Sequence, residues 1–179
     1  MDNDADQMSN HTKVIIITGT MGAGKTTLMA EASDLLTAQG IMHAAIDLDA
    51  LALACLPQKW MADIAYRNLA AVWSNYRAAG AKHLLLANAV ESQAVLNRIR
   101  EAVQDAEFVI CRLKVNLPTA QARVRSREPG MFQDKFVAWA GELDKILDEA
   151  RLEDFFIQND DGSVTELAQE MLKRAGWMK

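Results

Sequence analysis

The run Gly19-Thr20-Met21-Gly22-Ala23-Gly24-Lys25-Thr26 constrains this chain more than any other stretch. It meets the pattern G-x-x-x-x-G-K-[ST] at every fixed position. The apolar run Lys13–Thr18 before it predicts a strand, and the periodic run Gly24–Gln39 after it predicts a helix. Glycines at these positions let several backbone N–H groups turn inward onto phosphate oxygens, and the helix start adds its positive end. Gly19, Thr20, Met21, Gly22, Ala23, Gly24, Lys25, Thr26 and Thr27 are therefore the expected nucleotide-binding segment. Lys25 is expected to reach the β- and γ-phosphates, and Thr26 to ligate Mg²⁺ through its hydroxyl. A chance match in a chain of this length has odds of roughly 1% or fewer at ordinary glycine usage.

The rest of the chain alternates short apolar runs with longer helical patterns. Further strands are expected at Met42–Ile46, His83–Ala87, Glu107–Val115 and Phe155–Gln158. Helices are expected at Lys59–Ala79, Ser92–Val103, Pro118–Arg127 and Lys135–Leu152, with a last one opened by a Ser163/Glu166 capping box. The strand runs are apolar almost throughout, as in strands buried on both faces. The expected fold is α/β, a three-layer sandwich around a five-stranded parallel sheet.

The 179 residues fit one domain with its own core. The net charge of -5 argues against a nucleic-acid partner, which would call for a basic face. No apolar run approaches the ~20 residues a membrane helix needs. Residues 1–12 carry Asp2, Asp4 and Asp6 and read as a disordered polar tail rather than a signal peptide. Cys55 and Cys111 are far apart and read as two buried thiols in a reducing cytoplasm. His11, His43 and His83 show no metal-ligand spacing.

No N-K-x-D or L-S-G-G-Q-like segment occurs, and no strand ends in a D-E pair. Regulatory GTPases, ABC ATPases and AAA-type motors are thereby disfavoured. Asp47-Leu48-Asp49 instead follows the second strand. Carboxyl ends of parallel strands face the ligand crevice, so an acid there can serve a metal or a substrate hydroxyl. Asp49 also suits a helix N-cap. With this pair, the sequence resembles the P-loop small-molecule kinases, the shikimate, gluconate and adenylylsulfate kinases, and more broadly the nucleoside monophosphate kinases. The resemblance implies Asp47 near Mg²⁺ and Asp49 as the base on the acceptor side.

Arg123-x-x-x-Arg127, followed by Glu128-Pro129-Gly130-Met131-Phe132, is similar to the helix-and-lid segment of gluconate-kinase-like enzymes. It implies a short lid around 123–135 on a kinase-like domain spanning 13–179. Arg123 and Arg127 share one helix face, where they can stabilise a transferring phosphoryl group. The alternative is a solvated basic helix. The runs I-D-L-D-A-L and R-N-L-A-A-V-W-S-N-Y-R-A-A-G resemble bacterial kinase-like ATP-binding proteins. Arg67, Asn68 and Glu91 are the candidates for binding the acceptor. Trp60 and Trp73 read as core, with Trp60 near the pocket entrance, and Arg98 and Arg100 as surface charges. The segment 53–68 matches none of the named enzymes, and no side chain of the Asn159–Ser163 loop is singled out.

The expected activity is transfer of the γ-phosphate of Mg·ATP to a small hydroxylated or anionic molecule. Lys25, Asp49, Arg123 and Arg127 would be the catalytic residues. The alternatives are an ATP-binding regulatory switch or a nucleoside monophosphate kinase. ATP and Mg²⁺ are the implied cofactors. The implied partner is a small-molecule acceptor, with no nucleic acid and no membrane, for a cytoplasmic monomer or homodimer.

Overall fold

The computed structural model describes residues 11–127 and 129–179. Residues 1–10 of the expected tail, and Glu128 of the expected lid, lie outside them. Five parallel strands form one sheet in the order β2-β3-β1-β4-β5: β1 (Thr12–Thr18), β2 (His43–Asp47), β3 (His83–Ala87), β4 (Ala106–Lys114) and β5 (Phe155–Gln158). Thr12 opens β1 and pairs with Ala106, so the last residue assigned to the tail belongs to the sheet.

The apolar strand runs are explained by helices on both faces. On one face, α1 (Lys25–Ala38) and α7 (Val164–Arg174) cover Ile15, Ile17, Leu85 and Cys111 through Leu28, Leu36, Ala168 and Met171. On the other, α3 (Ile64–Ala78) and α4 (Gln93–Ala102) cover Val14, Ile16, Leu84 and Leu86 through Leu69, Trp73, Leu96 and Ile99. Each fully buried aliphatic side chain contributes about 1.5–3 kcal/mol relative to exposure. Among the described residues, no helix is long and apolar enough to cross a membrane.

The single helix expected over Lys59–Ala79 is two: α2 (Gln58–Met61) and α3. They part at Ala62 and Asp63, where Asp63 has φ -112° and ψ -20° and its carboxylate pairs with Arg98 of α4. Two more helices, α5 (Leu117–Arg127) and α6 (Gln133–Ala150), pack together beside the sheet. Ser163 does sit at the N-cap of α7, but its hydroxyl makes no cap hydrogen bond. Cys111 is buried as expected, and burial pushes its thiol up to about 12. Cys55 is exposed, because the segment after β2 runs over the surface instead of into the core.

Candidate active site

The site forms at the carboxyl ends of β1, β2 and β3. The order of the sheet puts β1 at its centre, where the connections change direction, the usual place for a ligand crevice. The Gly19–Thr26 loop leaves β1 and turns into α1. Gly22 has φ +77° and Gly24 φ +97°, conformations that L side chains rarely adopt. Gly22 is also required by proximity: a Cβ there would lie 2.3 Å from the Ala120 carbonyl oxygen of α5.

Lys25 is half-buried, and its Nζ donates to the carbonyls of Gly19 at 3.0 Å and Thr20 at 3.1 Å. Burial pushes its pKa below the ordinary 10.5, Asp49 and Asp47 pull it up, and Arg127 pushes it down. The ammonium therefore feels two carboxylates and a guanidinium. Thr20 is buried, with its hydroxyl committed to the Ala140 carbonyl of α6. Its backbone is what faces the loop. Met21 is half-buried, Ala23 is wholly buried, and Thr26 and Thr27 are exposed at the start of α1.

Asp47 ends β2. Its Oδ2 accepts a 2.7 Å hydrogen bond from Thr26 Oγ1, and its Oδ1 accepts one from the Asp49 N–H at 3.1 Å. Thr26 and Asp47 thus bring two hard oxygen donors together, a set suited to Mg²⁺ completed by phosphate and water. Asp49 caps the short 3-10 turn Ala50–Ala52 without a side-chain cap bond, leaving its carboxylate available. It reaches solvent, yet desolvation by the crevice walls raises its pKa above 3.8. Lys25 opposes this, Asp47 adds to it, and Arg127 opposes it.

Glu91, after β3, faces the same space. Desolvation first, then Asp49, raises its pKa above 4.5. It makes no hydrogen bond or ion pair among the described residues. Tyr66 of α3 belongs to this group: desolvation raises its pKa, Arg98 opposes the shift, and Glu91 and Asp49 add to it.

Of Arg123 and Arg127, both on α5, Arg127 acts on Lys25 and Asp49. Arg123 is turned differently. It acts on Asp160, and its Nη1 is buried without a hydrogen-bond partner. Arg67 and Asn68 are engaged elsewhere. Arg67 lies over the Trp60 ring at 5.2 Å, and the Asn68 amide donates to the Leu51 carbonyl at 2.8 Å, tying α3 to the 3-10 turn. Neither makes a hydrogen bond or ion pair with Asp49 or Glu91 among the described residues. Trp60 is 44% exposed, so it is not core, whereas Trp73 is. Arg98 is not a free surface charge, since it pairs with Asp63 and lies 4.0 Å from the Tyr66 ring.

Asn159 was not among the expected site residues. Its Nδ2 donates to the Ala23 carbonyl inside the loop at 2.7 Å. The sequence signal was its position, one residue past a parallel strand's carboxyl end.

No family model matches the chain, and no curated protein does. Solved structures match over nearly its whole length. Shikimate kinase from Acinetobacter baumannii in complex with shikimate is 19% identical over 95% of this chain and 96% of that one, with a TM-score of 0.58. The Mycobacterium tuberculosis APS kinase in complex with AMPPNP and APS is 22% identical over 91% and 96%, with a TM-score of 0.62. A gluconokinase from Sinorhizobium meliloti 1021 is 18% identical over 93% of each chain, with a TM-score of 0.58. The chain has the P-loop kinase fold. In that fold the Gly19–Thr26 loop is the P-loop, and Asp47, Asp49 and Glu91 line the strand ends beside it. Other clefts lie away from these residues. One of about 630 Å³ runs between the last turns of α3 and α4, and one of about 750 Å³ lies at the amino ends of β1, β3 and β4.

Proposed function

We propose that the protein is an ATP-dependent phosphotransferase that moves the γ-phosphate of Mg·ATP to a hydroxyl of a small molecule. The observation that carries this is the Thr26–Asp47 contact of 2.7 Å, with Asp49 two residues on and Lys25 among the same charges. A structural glycine turn has no need of a hydroxyl, two carboxylates and an ammonium gathered at strand ends. The similar structures add support, since one holds shikimate and another holds AMPPNP with APS.

The P-loop amides and Lys25 would hold the β- and γ-phosphates. Thr26 and Asp47 would hold Mg²⁺, which when bound neutralises charge on the phosphate oxygens. The acceptor oxygen bonds to the γ-phosphorus, and the bond from phosphorus to the β–γ bridging oxygen breaks. ADP leaves, and the hydroxyl proton passes to Asp49. Arg127 supplies positive charge to the transferring group, which is worth about 3–4 kcal/mol for a well-placed donor, whereas Arg123 is turned toward Asp160. The acceptor side presents Asp49, Glu91 and the Tyr66 hydroxyl, while Arg67 rests on Trp60. This favours a hydroxylated acceptor over an anionic one.

A second reading, a nucleotide-dependent switch that binds a protein, is favoured by the apolar side chains of the lid segment and α6. Met131 is 91% exposed, and Phe132 and Trp139 are exposed beside it. ADP release from Mg·ATP across a panel of hydroxylated metabolites, nucleosides and aminoglycosides, run beside Asp49→Asn, separates the two. Acceptor-dependent ADP that collapses in the variant supports the phosphotransferase. Nucleotide binding with no acceptor-dependent turnover supports the switch.

A further inference from the structure

Asn159 reaches the P-loop from a distant part of the chain, 136 residues away from the carbonyl it binds. It sits one residue beyond β5, and its backbone N–H donates to the Lys114 carbonyl at the end of β4 at 2.7 Å. Two sheet strands therefore fix its Cα. From there its Nδ2 donates to the Ala23 carbonyl at 2.7 Å. The next residue of the loop leaves it just enough room. A Cβ on Gly24 would lie 2.8 Å from the same Nδ2.

The consequence follows from peptide geometry. A trans peptide is planar, so its carbonyl and the following N–H point in opposite directions. Holding the Ala23 carbonyl toward β5 turns the Gly24 N–H to the other side, into the hollow of the loop. Ala23's own N–H is committed to the Thr20 carbonyl at 3.2 Å, whereas the Gly24 N–H has no acceptor among the described residues. It is a donor fixed in direction and left without a partner, at the start of a 14-residue helix.

We infer that Asn159 is a positioning residue that aims the Gly24 N–H at a bound phosphate oxygen, acting through the Ala23–Gly24 peptide without touching the nucleotide. The inference rests on the nucleotide-binding reading above. Asp160 reinforces the arrangement: its carboxylate accepts from the Asn116 N–H at 2.8 Å and from the Asn116 side chain at 2.6 Å. Asn116 in turn caps α5, accepting from the Thr119 N–H at 2.9 Å. One loop thus registers both the P-loop peptide and the helix that carries Arg123 and Arg127.

The test is calorimetric binding to the full chain, with Asn159→Ala and with Asn159→Leu, which keeps most of the volume and removes the donor without adding a charge. The probes are Mg·ATP, inorganic tripolyphosphate and adenosine, measured well below each variant's melting temperature. Loss of one oriented donor to an anion weakens Mg·ATP and tripolyphosphate about tenfold and leaves adenosine unchanged. A residue that only supports the fold would shift melting without this split between probes. Undiminished tripolyphosphate affinity in a folded variant overturns the inference. So does a loss confined to adenosine, which would make Asn159 a base contact. A wild-type chain that binds no tripolyphosphate overturns the nucleotide reading itself, and the inference with it.

Discussion

The hydroxyl of Thr26 and the carboxylate of Asp47 meet at 2.7 Å although 21 residues separate them. The contact joins the first turn of α1 to the end of β2, and it leaves one carboxylate oxygen holding the Asp49 N–H. If the pair serves Mg²⁺, Asp47→Asn raises the Mg²⁺ concentration needed for half-maximal ADP release by at least about tenfold. Metal-free nucleotide affinity should change little. An unchanged Mg²⁺ titration removes Asp47 from that role.

Lys25 closes the P-loop on itself through the Gly19 and Thr20 carbonyls. A triphosphate would draw the ammonium away from them, because an anionic oxygen attracts a cation more strongly than a neutral carbonyl dipole does. Lys25→Met should weaken Mg·ATP binding by roughly one to two orders of magnitude, read by calorimetry. The fold should persist, since methionine fills much of the same half-buried space.

The raised pKa of Asp49 has a stability consequence with a definite sign. The folded state holds the proton more tightly than the unfolded state, whose carboxyl titrates near 3.8. Stability from this group is present at low pH and is lost as pH rises through the folded value. Without Mg²⁺ or nucleotide, Asp49→Asn should therefore raise the melting temperature at pH 7. The gain should fade below pH ~3.8, where wild-type Asp49 is protonated in both states. A variant less stable than wild type at pH 7 contradicts the assignment.

Gly22→Ala combines a left-handed backbone with a Cβ 2.3 Å from the Ala120 carbonyl. Backbone oxygen cannot rotate aside as a side chain does. The cost should be about 3 kcal/mol or more, read from the urea midpoint, and α5 should shift away from the loop. Gly40→Ala also has a positive φ but meets no atom within 4 Å, so it isolates the backbone part of the penalty.

What the sequence made legible was local. The P-loop, the five strands and the D-x-D pair are carried by consecutive residues, and their spacing and periodicity survive folding. The contacts that escaped are long-range. The expected helix splits beside Asp63, whose carboxylate pairs with Arg98 of α4. Thr20 and Asn159 acquire their roles from partners 120 and 136 residues away. Asn68 has the right helix for an acceptor contact, but only packing shows that its amide holds Leu51. Periodicity reports which face of an element is buried, and it carries no information on which polar side chains that burial will pair.

Arg112 is the clearest case, a charged residue in the middle of an apolar strand, only 1% exposed. Its guanidinium binds Asp144 at 2.9 Å and Asp148 at 2.8 Å, lies 3.6 Å from Glu153, and donates to the Asp144 carbonyl at 3.1 Å. These bonds fasten α6 to β4, and α6 supplies the Ala140 carbonyl that holds Thr20. The burial is one-sided: Asp148 keeps 56% of its side-chain exposure, and Asp144 keeps 34%. Removing the arginine therefore strands two partly hydrated carboxylates, Asp144 and Asp148, and a more buried one, Glu153. Arg112→Ala still leaves a large void and should cost about 3–5 kcal/mol. Arg112→Met refills most of that volume, and its carboxylates can rehydrate, so its cost should stay near 1–2 kcal/mol. Urea midpoints for the two variants decide between volume and charge. If methionine is as damaging as alanine, the ion pairs themselves hold α6 in place.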